Sequence, residues 1–209
     1  MKQIKKYISA LRLEHSRGLL IFVAAYQIFV FYVGRLLSMN KPHYNFSTAL
    51  DAKIPLVSWT VVIYFVCYAF WVVNYILCCR FDEKQAKRFA YADLIGKTVC
   101  FIFYIVAPTT MQRPEIVGGN IFDSLMRFLY AVDAPDNLCP SIHCFVSWMA
   151  YIGMRGDERY SRKYRAFSLV FAIVVCISTL TTKQHVIIDV IVGVALAEMC
   201  FWLTKKLVK

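Results

Sequence analysis

Thr181-Thr182-Lys183-Gln184-His185-Val186-Ile187-Ile188-Asp189 opens the last apolar run of the chain, and three ionisable side chains stand in it. Asp or Lys at the centre of a membrane helix costs roughly 2.5 to 3.5 kcal/mol on insertion scales, so such residues face a cavity or a partner. A helix from Val186 onward sets His185 and Asp189 at i and i+4, on one face. A carboxylate one turn from a histidine accepts one ring N–H, fixes the tautomer and leaves the other nitrogen a better nucleophile or base. A polar helix end at the membrane surface would account for Lys183. It would not account for an Asp one turn deeper in an Ile/Val-rich span.

The 209 residues are 59% hydrophobic and 16% aromatic, richer in apolar side chains than the about 45–50% of soluble domains. Apolar runs cover residues 19–39, 56–79, 90–108, 140–154, 166–180 and 186–203. They predict an all-α, polytopic membrane protein, a bundle of six transmembrane helices. One domain over residues 1–209 leaves no room for a second, and its motifs lie between 97 and 203. The first run follows a long basic lead-in and no small-residue cleavage site follows it, so it reads as a retained span rather than a signal peptide. Arg35 lies near the far end of that run, where it can snorkel, and Lys97 interrupts the third. Between spans three and four, Gly118-Gly119 precedes an amphipathic stretch, 121–130, that reads as a short interfacial helix. Pro140 is placed to initiate the fourth helix.

A net charge of +11 can signal nucleic acid, but no glycine-rich phosphate loop or nucleic-acid module is visible. In a membrane protein the excess reports topology and anionic lipid. The two termini and the second and fourth loops hold seventeen Lys/Arg; the other side holds Lys41, Lys53, Arg113, Arg127 and Lys183. Both termini are therefore expected in the cytoplasm of a multi-pass protein of the cell membrane, with Arg113, His143 and His185 on the non-cytoplasmic side. Of eight cysteines only Cys139 lies in a polar loop, so no disulfide framework is indicated, and Cys139 and Cys144 around His143 lack zinc spacing.

Three places on the outer side carry chemistry: Arg113-Pro114, Pro140-Ser141-Ile142-His143, and Lys183 with His185 and Asp189. Two histidines, a carboxylate, fixed cations and a hydroxyl suit phosphoryl transfer: one imidazole attacks phosphorus, the other protonates the leaving oxygen, and cations and N–H donors neutralise the equatorial oxygens. No carboxylate cluster that would hold Mg²⁺ is present, so no metal or other cofactor is expected. Elsewhere, His15 and His43 read as solvated, and Asp133 and Asp136 as turn formers around Pro135, with head-group contact as the lesser reading. Asp51 and Arg35 are outer-side candidates, and Glu198, near Lys205, is a structural acid of the cytoplasmic side.

These motifs resemble the phosphatidate phosphatase type 2 / vanadium haloperoxidase superfamily, whose signature is K-x6-R-P, P-S-G-H and S-R-x5-H-x3-D. Arg113-Pro114 matches the end of the first motif, Pro140-Ser141-Ile142-His143 the second except for glycine, and Ser178, His185 and Asp189 the third. The resemblance implies His185 as nucleophile through a phosphohistidine, Asp189 as its partner, His143 as general acid, and Arg113 and Ser141 as phosphate ligands. Val106 stands where the first motif has lysine, and Lys97, sixteen residues before Arg113, is about 24 Å away along a straight helix. Thr179 replaces the third-motif arginine, and Lys183 is expected to bind substrate in its stead. Thr-Lys-Gln-His together with Asp51…Ile54-Pro55 is similar to the branch of inositolphosphoryl- and phosphocholine-transferring sphingolipid synthases.

The expected function is that of an integral membrane phosphatase that hydrolyses a lipid phosphate ester, phosphatidate-like or a prenyl diphosphate, without metal. The alternative is a lipid head-group phosphotransferase using the same site. A non-catalytic binding or transport protein is the third reading, and the intact His143/His185/Asp189 set argues against it.

Overall fold

The computed structural model of the chain describes residues 13–208; Lys2, Lys5, Lys6 and Arg12 of the basic lead-in, and Lys209, lie outside the described residues. In chain order the helices are α1 (Arg17–Ser38), α2 (Ala49–Lys53), α3 (Val61–Cys79), α4 (Glu83–Val106), α5 (Ile121–Val132), α6 (Ile142–Ile152), α7 (Arg162–Thr181) and α8 (Ile187–Leu207). A 3-10 turn, Ser58–Thr60, leads into α3. Two residue pairs, β1 (Tyr44–Asn45) and β2 (Thr109–Thr110), align in parallel at one end of the bundle, an irregularity the apolar pattern did not predict.

Five helices (α1, α3 with its 3-10 turn, α4, α7 and α8) are long and apolar enough to cross a membrane, which marks an all-α integral membrane protein. The fourth expected run contributes α6, 11 residues long. At 1.5 Å per residue it is about 16 Å, half the hydrocarbon thickness of about 30 Å. Pro140 does not initiate it: Ser141 is the N-cap, its Oγ accepting the Cys144 amide at 3.3 Å, and Pro140 lies one residue further out. Nine of the eleven side chains of α6 are buried, so protein rather than lipid surrounds it. It packs on α3, α7 and α8, while α4 packs on α1 and α8. The close approach of α8 to α6 depends on Gly193, where a Cβ would stand 2.6 Å from the Ser141 carbonyl oxygen.

The third helix begins seven residues before the apolar run because Asp82 caps the Lys84 amide at 3.0 Å and Glu83 pairs with Lys87 one turn on. Lys97 packs inside the bundle. It is 2% exposed, and its ammonium meets Asp93, an acid of the same span that the apolar pattern hid, at 2.6 Å. The Tyr75 hydroxyl donates to the other carboxylate oxygen at 2.5 Å, so the acid is held from two helices. Arg35, its side chain 40% exposed, pairs with Asp136 of the loop before α6 at 3.1 Å. Glu198 takes Arg155 in a two-pronged pair (2.7 and 2.9 Å) and the Trp148 indole N–H, not Lys205.

One end of the bundle gathers the ends of α1, α4 and α7 and the starts of α3, α6 and α8. There the Asn137 amide donates to Ser38 Oγ, the Tyr104 hydroxyl to the Pro140 carbonyl and the Val57 amide to the Thr181 carbonyl. The opposite end is tied by Ser16 to the Cys79 carbonyl, Gln85 to Gly153 and Arg88 to Phe201. All the expected site residues lie at the first end.

Candidate active site

Asp189, in the first turn of α8, accepts the Val186 amide at 3.0 Å through Oδ2, so the carboxylate caps its own helix. His185 therefore lies just outside the helix, not inside its first turn, yet its Nδ1 still reaches the same Oδ2 at 3.4 Å. Burial opposes charge on this ring, but the Asp189 carboxylate outweighs it and holds the imidazole pKa above its ordinary value. The other ring nitrogen has no hydrogen-bond partner among the described residues. Among the described residues Asp189 Oδ1 has no nitrogen or oxygen partner. It lies beside the Cys139 thiol, which burial and the Asp189 charge push up to about 12.

His143, in the first turn of α6, is buried among aromatic groups of α3. The Tyr64 hydroxyl donates to Asp133 Oδ2 at 2.9 Å and stands 3.3 Å from His143 Nδ1; the Tyr68 hydroxyl stands 3.1 Å from Nε2. One assignment satisfies every group. Tyr68 donates to Nε2, Nδ1–H donates to Tyr64, and Tyr64 donates to Asp133. The ring centroids of His143 and His185 are 5.8 Å apart. The Ser141 amide donates to the Asp189 carbonyl at 3.1 Å, so the helix starts that carry the two histidines are hydrogen-bonded to each other.

Both rings line one small cavity of about 30 Å³, with Tyr104, Asp133, Asp136 and Gln184 in the same wall. That volume is about one water molecule's share of the liquid, so a phosphate enters only when a side chain moves. Tyr68, 46% exposed, is the group at Nε2 that has room to do so.

The three expected phosphate ligands are not in that wall. The Arg113 guanidinium donates to the carbonyls of Lys183 (3.2 Å) and Asp133 (2.5 Å) and to Gln184 Oε1, and stacks 4.8 Å from the Tyr130 ring centre. It clamps the two loops that carry Asp133 and His185, one residue removed from the cavity. Ser141 is fully buried as the cap of α6. Lys183 has φ of 54° and turns its ammonium to the carbonyls of Asp51 (3.0 Å) and Ile54 (2.5 Å). It anchors the loop that bears His185 in place of supplying a free charge. Asp51 holds the same loop from the other side: its Oδ1 accepts the Ile187 amide at 2.7 Å while Thr48 and Asp51 cap α2 reciprocally. Burial raises the Asp51 pKa, but the hydroxyl and amide donors outweigh it and hold the carboxyl below its ordinary range.

Tyr64, Tyr68 and Gln184 escaped sequence reasoning. The two tyrosines are one turn apart at the start of an apolar run, a polar-tipped stripe that aromatic belts imitate. Gln184 is 2% exposed, with its Nε2 buried and unpartnered. His43 is tied to the Lys41 carbonyl at 2.8 Å and does not reach the site.

Fold and site together define a helical integral membrane protein with a paired-histidine, carboxylate-backed pocket at one end of its bundle. Residues 113–209 match the model of the PAP2 superfamily, which generally comprises phosphoric ester hydrolases or phosphotransferases. No curated protein matches the chain.

Proposed function

We propose that the chain is a lipid phosphatase that cleaves a phosphate ester of a phosphatidate-like lipid or prenyl diphosphate through a phosphohistidine. The observation that carries this reading is the pair of imidazoles, 5.8 Å apart in one cavity, only one of which is backed by a carboxylate. The free nitrogen of His185 attacks phosphorus, the bond from phosphorus to the lipid oxygen breaks, and His143, which takes a solvent proton at Nε2 once Tyr68 has left, gives that proton to the oxygen. Water then attacks the phosphohistidine, His143 takes up its proton, and phosphate leaves. Tyr68 must first leave Nε2 of His143, because the leaving oxygen takes its position. Arg113 and Gln184 become phosphate donors by exchanging their mutual contact for the substrate, a rearrangement that the unpartnered Nε2 of Gln184 favours.

In this reading α6 is a sixth crossing, completed by the turn after it. Both termini are cytoplasmic, the site opens on the non-cytoplasmic side of the cell membrane, and all 209 residues form one domain. Helix α5 lies along the interface. Asp123, Met126 and Leu129 face the protein, while Ile121, Phe122, Phe128 and Val132 are exposed.

A second reading, head-group transfer, draws support from Asp133 and Asp136 in the cavity wall. Carboxylates there repel phosphate but accept hydrogen bonds from a polyol, so an alcohol could replace water in the second step. The test is to give purified full-length protein a ³²P-labelled lipid phosphate in excess EDTA, with and without inositol or glycerol. An alkali-stable, acid-labile label on the His185 peptide and release of phosphate support hydrolysis; a labelled new ester supports transfer. Wild-type turnover in both His185→Ala and His143→Ala would overturn the assignment.

A further inference from the structure

A second cavity, of about 430 Å³, opens between α1 and α3 below the site, within the range of lipid and drug pockets. Its wall is almost wholly aliphatic and aromatic, and it includes Tyr68 and Trp71. Tyr68 is the residue that touches His143, and the Trp71 ring is 5.4 Å from that imidazole, so the groove is continuous with the candidate site. Two polar side chains interrupt the wall: Lys97 and Gln27.

Neither fits a purely structural account. The Lys97 ammonium has three N–H donors. Among the described residues its charge partner is Asp93 alone, at 2.6 Å. Gln27 Oε1 is buried with no partner. A bond between the Tyr26 hydroxyl and Thr98 Oγ1 (2.8 Å) pins the neighbouring residues of α1 and α4 at this level. An apolar slot therefore carries spare donors and an unused acceptor. Asp93 neutralises Lys97, so the slot does not select an anion.

We infer that this groove is a lipid-chain subsite whose polar floor, Lys97 and Gln27, binds a neutral group that both accepts and donates a hydrogen bond, a hydroxyl or an amide of the lipid. The inference deepens the lipid reading above and rests on it for the identity of the ligand as substrate. Depth fixes where the group must sit. Tyr75 follows Tyr68 by seven residues on α3, and Lys97 precedes Tyr104 by seven on α4. Both spacings place the polar floor about 10 Å below the phosphate site. A lipid with its hydroxyl or amide near the head group, and a chain continuing past it, meets both requirements.

The test uses no turnover. Full-length protein in nanodiscs is irradiated with three diazirine-chain probes of equal length: one amide-linked, one ether-linked with a hydroxyl, and one ether-linked without it. The first two are expected to label peptides around Gln27–Ile28 and Val72–Ile76 at least fivefold more than the third, and the stronger of the two tells hydroxyl from amide. Gln27→Leu, and separately the paired Asp93→Asn/Lys97→Met change, should reduce them to the level of the plain ether. Equal labelling by all three probes, label spread evenly over the lipid-facing helices, or preference surviving in Gln27→Leu would overturn the inference. His185→Ala protein should label as wild type does, so a failure of the catalytic reading leaves this result readable on its own.

Discussion

Two acid–base pairs in this molecule share one spacing and close burial, and they differ in how tightly they are closed. Asp93–Lys97 and His185–Asp189 both stand at i and i+4. The first is closed at 2.6 Å in the middle of α4, with Tyr75 on the remaining oxygen. The second is open: 3.4 Å apart at a helix start, with the carboxylate shared by a backbone amide and one imidazole nitrogen left unpartnered. The spacing is the same in both. What distinguishes them is the position along the helix, because a first turn has orphan amides and a loop beside it, whereas a helix centre has neither. In the proposed reaction the attacking atom is the imidazole nitrogen that this second pair leaves unpartnered.

The comparison breaks most visibly at Asp189. Asp189→Asn keeps the cap on Val186 but removes the charge that orients and supports His185. Turnover should fall by about 10³–10⁴, by analogy with loss of the orienting carboxylate in other histidine-based sites. The pH profile gives a second readout. The folded-state pKa of His185 lies above 6.5, so the imidazole stays protonated, and useless as a nucleophile, to a higher pH than a free histidine. The rate should climb through that raised value in wild type. In Asp189→Asn, the largest influence opposing burial of the ring is gone and the acid limb should move to lower pH. An unmoved limb would show that another group controls it.

At the closed pair the expected effect is on stability. Asp93→Ala strands a buried ammonium and should destabilise the protein in detergent by about 3–5 kcal/mol, whereas replacing both partners, Asp93→Asn with Lys97→Met, should cost far less. Thermal unfolding of the two variants measures the difference. If the double variant were as unstable as the single one, the pair would be contributing more than mutual neutralisation.

The all-α membrane bundle itself was legible because the apolar runs are long enough to cross a bilayer as helices. So was the grouping of His143, His185 and Asp189: the two imidazoles share one cavity wall and Asp189 backs His185. Three things were not. Helix α6 ends early because a helix buried in protein needs no lipid-matched length, and hydropathy does not distinguish protein from lipid as the surrounding medium. Asp93 is invisible to a hydropathy window, which averages over it. Lys183 and Arg113 carry the right charge at the right place in sequence, but their donors go to backbone carbonyls of loops far away in the chain. No local pattern encodes such a contact.

Those loop contacts supply the next smaller effect. Asp51→Ala removes the acceptor for the Ile187 amide and half of the cap on α2, each a bond of the kind worth about 1 kcal/mol. The loop that presents His185 loses one of its ties, with Lys183 and Arg113 still holding it. Turnover should drop about tenfold with little change in melting temperature, since the bundle core is untouched. Asp51→Asn, which keeps an oxygen acceptor for that amide, should recover most of the loss. If Asn behaved like Ala, the charge itself would be what matters, and Asp51 would belong with the substrate-facing groups.

The smallest effect tests how the other histidine is held. Tyr64 accepts from Nδ1 and is fastened to Asp133, so Tyr64→Phe leaves the His143 tautomer unsupported. Tyr68 covers Nε2, the atom that must face the leaving oxygen, and its side chain is the exposed one of the two. Tyr68→Phe should therefore change turnover less than about threefold, since a deleted hydroxyl that has to depart before chemistry contributes little to the barrier. Tyr64→Phe should cost more than Tyr68→Phe in the same assay. The reverse order would make Tyr68 a participant in proton transfer, and the contrast between a histidine held by its helix cap and one held by aromatic hydroxyls would need to be redrawn around Nε2.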